Sequence, residues 1–404
     1  MANHQLVVFG ATSFVGELLT RYLFERHGVG GTLDWAIAGR SSEKLQALRA
    51  GLGKGAARLP IIQADAADET ALRKLCQQTR AVASTVGPYA LYGSTLVKVC
   101  AQTGTDYCDL TGEPQWIARM IREHGAAARK SGARIVHCSG FDSIPSDLGT
   151  HYLQQQARAR FGETCNQVSL RVKAMRGGAS GGTVASMLES IRESIADPAL
   201  RKVMTNPYAF CTGDCSGLPR QPTPKMASYD KLARSWIAPF VMAVINTKVV
   251  HRSNELSGYA YGRDFLYDEA MQTSGRASAY ALGGGLAAFM AALALKPTRA
   301  LLERFVLPKP GEGPTPAEQE AGFYDIRLHG RTPSGKRLTV KVTGDRDPGY
   351  GSTSKILGEA AVCLAQDIEK AEHPGGFWTP ATLFGDRLVQ RLASHAGLTF
   401  SVVE

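Results

Sequence analysis

The stretch from Val7 to Leu19 holds residues whose types and spacing suit phosphate binding. Gly10 and Gly16 fit the GxxGxxG spacing of a strand–turn–helix that binds a dinucleotide, and Ser13 stands where the middle glycine is expected. The first glycine allows the tight bend, the middle one lets a pyrophosphate approach, and the last lets helix and strand pack closely. The Ser13 hydroxyl can itself donate to a phosphate oxygen at the amino end of the helix. A plain strand–helix turn is the alternative. The residues predicted to contact the cofactor here are Gly10, Thr12, Ser13, Phe14, Val15 and Gly16.

The end of the second predicted strand indicates which dinucleotide binds. NAD enzymes usually place Asp or Glu there for the ribose 2′-hydroxyl, whereas this chain has Arg40 followed by Ser41. A guanidinium suits a 2′-phosphate, and such a charged contact contributes about 1.5–3 kcal/mol, or roughly a 10–100-fold preference for NADP. The alternative is a solvent-facing arginine that begins a helix. Asp65, after the third strand, is either an adenine contact or a loop residue.

Three residues close the fourth predicted strand, at the sheet edge where ligands bind. They are Val86, Gly87 and Pro88. Gly87 admits close approach, and Pro88 stiffens the bend. We predict that this loop flanks the nicotinamide ribose.

These loops need a parallel sheet to bring them together. Short apolar runs, which indicate strands, alternate with amphipathic segments, which indicate helices. The predicted strands are 6–9, 35–38, 60–63, 82–86 and 135–138, and the predicted helices are 14–27, 42–52, 68–78, 94–102 and 115–130. This alternation predicts an α/β fold of Rossmann type, a doubly wound parallel sheet.

A different pattern follows the first domain. Residues 168–174, 324–328 and 338–342 alternate apolar with polar side chains, which predicts an antiparallel sheet in an inserted α+β domain. Its outer face is basic and is either solvated or a docking face; it carries Arg171, Lys173, Arg327, Arg337 and Lys341. We predict a dinucleotide-binding domain at 1–145, a substrate domain at 146–346, and helices at 347–404 that return to the first domain.

Composition limits the function classes. The chain of 404 residues is 44% hydrophobic, enough for two domains. Its formal net charge of +10 favours anionic partners, such as nucleotide phosphates, a CoA or carrier-protein arm, or an acidic membrane. Basic residues are spread without a run, so we expect no nucleic-acid partner.

The eight cysteines form no CxxC pair and no metal-spaced cluster, so we expect reduced thiols and no metal. No signal peptide is visible at the N-terminus, which favours a cytoplasmic protein. Whether the protein forms a homodimer is left open.

Residues 277–295 are uncharged and just long enough to cross a membrane, but they are mostly alanine and glycine. A buried helix is the favoured interpretation. A membrane-surface or acyl-tunnel element and a true span are the alternatives. A membrane-surface element would place the protein peripherally at the inner face of the plasma membrane.

Several segments together resemble the saccharopine dehydrogenase-like oxidoreductases, in particular the branch of mycobacterial trans-acting enoyl reductases. The matching stretches are GATSFVG (10–16), AGR (38–40), STVGPY (84–89), YCDLTGE (107–113), SGFDSIPSDLG (139–149), SGGT (180–183), DPGYGST (347–353) and GGFWTPA (375–381). The resemblance implies a Rossmann domain with a C-terminal return, an inserted α+β domain and NADP. For this branch it also implies reduction of a double bond on a fatty-acyl or polyketide thioester made by another enzyme. Ser13 departs from the family glycine, and the insert at 184–322 has little match to saccharopine reductases proper.

Enoyl reduction needs a donor for the enolate and an acid for the α-carbon. Tyr89 is the first candidate, with a core tyrosine as its alternative. Asp142 and Ser143 are further candidates, although Asp142 can instead cap the helix that follows. His137 and His151 are expected to be structural, because no orienting carboxylate lies near them in sequence. Imine or carbonyl reduction in the same fold, and an NADP-binding membrane scaffold without turnover, are the competing hypotheses.

Overall fold

A computed structural model describes residues 3–403 except 179–180, 308 and 310–311. Ser180 of the motif at 180–183 therefore lies outside the described residues. The chain forms two seven-stranded sheets. The first contains β1 (His4–Phe9), β2 (Trp35–Gly39), β3 (Ile61–Gln63), β4 (Thr79–Ser84), β5 (Asp106–Asp109), β6 (Arg134–Val136) and β13 (Gly376–Trp378). The second contains β7 (Gln167–Arg176), β8 (Ser228–Asp230), β9 (Ser235–Pro239), β10 (Leu266–Thr273), β11 (Phe323–Arg331), β12 (Arg337–Gly344) and β14 (Leu398–Val402).

Helices cover both faces of the first sheet, and further helices pack on or connect the strands of the second sheet. In chain order they are α1 (Phe14–His27), α2 (Ser42–Gly51), α3 (Glu69–Gln77), α4 (Tyr89–Tyr92), α5 (Ser94–Thr103), α6 (Pro114–Ser131), α7 (Ile144–Phe161), α8 (Gly181–Ala196), α9 (Pro198–Thr205), α10 (Ala243–Leu256), α11 (Arg276–Ala294), α12 (Lys296–Phe305), α13 (Pro316–Glu320), α14 (Thr353–Val362), α15 (Pro380–Leu383) and α16 (Gly385–His395).

The first sheet is parallel throughout, in the order β13-β6-β5-β4-β1-β2-β3. The Rossmann-type prediction is confirmed. Because β1 lies beside β4 as well as β2, the strand order reverses there, and a ligand crevice opens outside the carboxyl ends of these strands. The second sheet has the order β14-β12-β11-β7-β10-β9-β8. It is mixed, because β10 runs parallel to β7 while β11 runs antiparallel to it.

Alternate residues of β1 serve two cores, as the period of two in a strand requires. Leu6 and Val8 pack in a cluster with α1 and α14, whereas Val7 and Phe9 pack in a cluster with α3, α5 and α6. The first cluster continues through α7 into the second sheet, so the two sheets share one core.

The 347–404 segment does more than return as helices. It adds β13 to the first sheet and β14 to the second, two strands that the sequence did not reveal. The proposed domain limits at 145 and 346 stay predictions. β5 was missed as well, since its end residues are acidic: Asp106 is buried against Arg134 at 2.5 Å, and Asp109 is buried too.

The basic face predicted for the second sheet is partly neutralised, because Arg171 and Arg327 are paired with carboxylates. Arg171 is buried between Asp230, at 2.6 Å, and Asp268, at 2.7 Å. The first of these carboxylates comes from β8, a strand that sequence patterning did not detect. An anionic carrier therefore meets less free charge on this face than the sequence indicated.

The favoured buried placement of residues 277–295 is wrong. They form α11, a helix that by length and composition alone could cross a membrane. Only Ala279, Gly283 and Leu293 of this helix are buried. The small residues let α11 approach β9, where a Cβ on Gly283 would lie 3.5 Å from Pro239, and most of the other side chains face outward.

Candidate functional site

The turn between β1 and α1 leaves no room for side chains at its two glycines. Gly10 has a φ of +86°, and a Cβ there would lie 2.5 Å from Val86 Cγ2. A Cβ on Gly16 would overlap the carbonyl oxygen of Gly10. Backbone geometry therefore demands glycine at both positions, which agrees with the spacing in the sequence.

Ser13 uses its hydroxyl within the protein. Its oxygen accepts from the Gly16 amide at 3.0 Å, capping α1, and its proton is donated to Thr85 Oγ1 at 2.9 Å. The predicted donation from this hydroxyl to a phosphate is therefore not the arrangement seen. The amides of Phe14 and Val15, in the first turn of α1, have no intrahelical acceptor and are placed to bind an anion.

Arg40 follows β2 at the same edge of the sheet and is exposed. Its backbone is held by Gln63, whose Nε2 donates to the Arg40 carbonyl at 3.1 Å. Ser41 caps α2 by accepting from the Lys44 amide at 3.3 Å. Across the part of the chain that the structure describes, the Arg40 guanidinium makes no hydrogen bond or ion pair. It is thus available to a 2′-phosphate, as the sequence predicts.

Asp65 lies in the loop after β3 and is exposed. Its Oδ1 accepts from the Ala67 amide at 2.9 Å, so the carboxylate closes a local turn. Within the described residues, the second oxygen accepts no hydrogen bond. The adenine contact stays a prediction.

The loop after β4 is fixed from the neighbouring strand. Gly87 and Pro88, joined by a cis peptide bond, lead into α4. The Glu113 carboxylate, from the loop after β5, accepts from the amides of Tyr89 at 2.8 Å and Ala90 at 2.7 Å. Burial raises the pKa of Glu113, and these two amides oppose the rise. Sequence analysis missed Glu113, although its position after β5 places it at the ligand-bearing edge.

Tyr89 does not face the crevice. Its side chain is 3% exposed, and its hydroxyl donates to the Ser84 carbonyl at 2.9 Å. The ring packs on Trp116 with centroids 5.4 Å apart. Burial raises the pKa of Tyr89 well above its usual value. The structure thus contradicts the acid role and supports the core-tyrosine alternative.

Asp142 lies in the loop after β6 and is the candidate acid that remains free. A Cβ on Gly112, in the loop after β5, would lie 3.4 Å from Asp142 Oδ2. Burial raises the pKa of Asp142 to about 6. Among the described residues its carboxyl has no hydrogen-bond or ion-pair partner, and it does not cap α7, whose N-cap residue is Ser143. The carboxyl can therefore serve a ligand.

Ser143 is committed to a buried network. Its hydroxyl donates to Asn246 Oδ1 at 2.9 Å, and the Asn246 amide donates to Glu269 Oε2 at 2.9 Å. Tyr267 donates to the other Glu269 oxygen at 2.7 Å. Burial raises the pKa of Glu269 to about 7. Ser143 is fully buried and joins the start of α7 to α10, so the structure contradicts a direct catalytic role for its hydroxyl.

Both histidines expected to lack an orienting carboxylate have one. His137 Nδ1 lies 2.7 Å from Asp109 Oδ2, and His151 Nε2 lies 3.1 Å from Asp386 Oδ1. The partners are far apart in sequence, so local reasoning could not find them. His137 is packed between Trp116 and other aromatic rings rather than in the crevice.

The motif at 347–353 forms a cover over the amino end of α1. Asp347 accepts from the amides of Tyr350 at 3.0 Å and Gly351 at 2.7 Å, which fixes the turn. The Tyr350 ring meets Phe14 edge-on at 5.2 Å, and its hydroxyl lies 2.8 Å from Thr183 Oγ1 of α8. The crevice is therefore bordered by α1, this turn and α8.

Comparison with known proteins agrees with this architecture. The family model for the saccharopine dehydrogenase NADP-binding domain matches residues 6–136. A Mycobacterium tuberculosis protein, provisionally named a trans-acting enoyl reductase, is 40% identical over 399 residues, which are 96% of this chain and 94% of that relative. A trans-acting enoyl reductase of Mycobacterium bovis is 38% identical over 411 residues, covering 96% and 95%. Saccharopine dehydrogenase of Saccharomyces cerevisiae shares the fold, with a TM-score of 0.55 at 13% identity over 99% of both chains.

The turn at Gly10, the first amides of α1 and the free Arg40 guanidinium fit the cofactor of the matching domain. That cofactor is NADP, and the protein is an NADP-dependent oxidoreductase. No group of three or more metal-ligating side chains occurs within the described residues.

Proposed function

The chain belongs to the saccharopine dehydrogenase-like family, in its trans-acting enoyl reductase branch, and we propose that it reduces the α,β-double bond of a fatty-acyl or polyketide-derived thioester. The substrate reaches the site on CoA or on the carrier protein of another enzyme. The name of the Mycobacterium bovis relative supports this assignment.

The observation that carries the proposal is the Asp142 carboxyl. It is set between the loops that follow β5 and β6, and it has no protein partner within the described part of the chain. Burial raises its pKa to about 6, so a useful fraction of the Asp142 carboxyl groups carries a proton near neutral pH. A half-buried carboxyl with a raised pKa at the carboxyl edge of a parallel sheet is suited to donate a proton to a ligand.

The reaction adds one hydride and one proton. NADPH supplies the hydride when bound, and the β-carbon of the thioester receives it. The electron pair of the double bond then forms an enolate on the thioester. Asp142 donates its proton to the α-carbon, which completes the saturated acyl chain, and the Asp142 carboxylate regains a proton from solvent.

The other polar groups act by holding the loops. The two amides on Glu113 keep the β4 loop in place. Tyr350, held by the Asp347 turn, packs over Phe14 and limits the access of water to the amino end of α1.

The proposal is tested with purified protein, NADPH carrying deuterium at the transferable position, and crotonyl-CoA or longer enoyl-CoA. We expect oxidation of NADPH and deuterium on the β-carbon of the saturated product, located by mass spectrometry. A ketone, and an α-keto acid with an amine, serve as the comparison substrates. Oxidation of NADPH with these alone would show imine or carbonyl reduction. Binding of NADPH without turnover on any substrate would show a scaffold.

A further inference from the structure

α11 is apolar around its circumference, yet little of the protein covers it. No charged residue occurs between Arg276 and Lys296, and only Ala279, Gly283 and Leu293 of this helix are buried. A helix that is apolar on all sides is normally enclosed by a core or by lipid. The core does not enclose this one.

α12 extends the same exposed area, and we call the combined area the α11–α12 surface. Its exposed large apolar side chains are Tyr280, Leu282, Leu295, Leu301, Phe305 and Val306. Leu301 is 61% exposed and Phe305 is 68% exposed. Large apolar side chains exposed on two consecutive helices mark an interaction site rather than an ordinary solvated face.

The charges on this surface indicate that its partner is anionic. Basic residues lie at both ends of α11 and along α12, and Glu303 is the one acidic residue in the sequence from 276 to 305. The basic residues are Arg276, Lys296, Arg299 and Arg304. A second copy of the chain would bring basic helix ends together in either a parallel or an antiparallel pairing. An anionic phospholipid surface would instead pair with all of them.

We infer that the α11–α12 surface docks on an anionic phospholipid bilayer, with its apolar side chains entering the interfacial region. Two aromatic rings beside the start of α11 support this orientation: the Arg276 guanidinium lies 5.8 Å from the ring of Tyr280, on α11, and 5.9 Å from the ring of Trp236, on β9. Amphipathic rings of this kind sit at the level of lipid headgroups.

The contacts of α11 favour lying on the membrane over crossing it. Gly283 packs against Pro239 of β9, and Leu293 packs with Val184 and Leu188 of α8. A span would break these contacts. The same α8 carries Ser186, whose Oγ would lie 3.8 Å from a Cβ on Gly87, so the docked surface is continuous with the helix that borders the crevice.

Vesicle flotation tests this inference without any substrate. Vesicles of phosphatidylcholine with phosphatidylglycerol are compared with vesicles of phosphatidylcholine alone. We expect binding at least about tenfold tighter to the anionic vesicles, weakened by high salt. The double variant Leu301→Asp/Phe305→Asp is expected to lower that binding at least about tenfold. Val403→Asp is the matched control, because Val403 is 43% exposed beside β14, at the opposite edge of the second sheet from β8 and β9.

NADPH binding and the midpoint of thermal unfolding report whether each variant is folded. Should the double variant fail to fold, Lys296→Glu/Arg299→Glu replaces it, with the same expected loss on anionic vesicles. Equal binding of wild type and variant, equal binding to neutral vesicles, or no vesicle binding at all would overturn the inference. A dimer that dissociates in the double variant, with no vesicle binding by the wild type, would assign the surface to a second copy instead.

Discussion

The hydroxyl of Ser13 donates a hydrogen bond to Thr85 Oγ1 at 2.9 Å, which ties the turn after β1 to the end of β4. Thr85 in turn donates to the Gly10 carbonyl at 2.9 Å. The serine in place of the usual glycine thus links two loops that border the crevice. The helix amides remain as the anion-binding groups.

Ser13→Ala removes both the cap of α1 and the link to Thr85. We expect a loss of about 1 kcal/mol in the free energy of unfolding, against a few tenths of a kcal/mol for Ser13→Gly. The Kd for NADPH should stay within about threefold for both variants, because the amides still bind the phosphates. Thermal unfolding and calorimetric titration measure the two effects. An affinity loss beyond about tenfold in Ser13→Ala would show that the hydroxyl itself holds a phosphate.

Arg40→Glu should reverse the choice of cofactor. Losing a charged contact to the 2′-phosphate costs roughly 10–100-fold in the preference for NADPH over NADH, and the new carboxylate repels the phosphate further. The ratio of kcat/KM for the two cofactors measures this preference. Arg58→Glu is the matched control, because Arg58 is also exposed but precedes β3, at the amino end of the strand. An unchanged ratio in Arg40→Glu would remove Arg40 from the cofactor site.

Local pattern was sufficient to find the glycine turn between β1 and α1, whereas it failed where distant contacts decide. The two glycines and Arg40 belong to one strand–helix–strand unit, so spacing alone put them at one edge of the sheet, and their cofactor contacts stay predictions. The orientation of Tyr89 depends on Trp116, from a helix that begins after the next strand. Likewise, His137, which directly follows β6, pairs with Asp109 of β5, 28 residues earlier in the chain.

The exposure of α11 could not be read from its composition. Alanine and glycine allow a helix to be buried, but they do not supply a partner that covers it. Here β9 packs against the helix at Gly283 and α8 packs against it at Leu293, and most of the other side chains stay outside.

Asp142→Asn removes the proposed proton donor. We expect kcat for enoyl reduction to fall by about 100–10,000-fold while the Kd for NADPH is unchanged. In the wild type, kcat/KM should fall as pH rises through about 6, because the acid form of Asp142 is lost. Ser143→Ala, in the same loop, serves as the comparison and should retain kcat within about threefold. A wild-type profile without this decline would assign the proton to another group.

Asp142→Asn, which is expected to lower kcat, is also expected to raise the stability of the fold. Because burial raises the pKa of Asp142 from 3.8 to about 6, the folded state favours the proton, and this stability is lost as pH rises through about 6. Asp142→Asn avoids the buried charge, so it should be more stable than wild type by about 1–3 kcal/mol near pH 8 and about equal near pH 4. Denaturant unfolding at both pH values measures the difference. If the variant and the wild type were equally stable at both pH values, the Asp142 carboxylate would be well solvated in the folded protein.

Tyr89→Phe should leave catalysis intact. The hydroxyl is buried on the Ser84 carbonyl, so its loss should cost about 1 kcal/mol of folding stability and change kcat by less than about twofold. Steady-state kinetics with thermal unfolding separates the two. A drop in kcat beyond about tenfold would restore Tyr89 as the acid.

The most direct test is a crystal structure of the protein with NADP and a saturated acyl thioester product. We expect the 2′-phosphate on Arg40, the pyrophosphate on the amides of Phe14 and Val15, and the Asp142 carboxyl directly beside the α-carbon of the thioester. A dinucleotide bound away from the carboxyl ends of β1 and β4, or an Asp142 that faces no part of the acyl group, would contradict it.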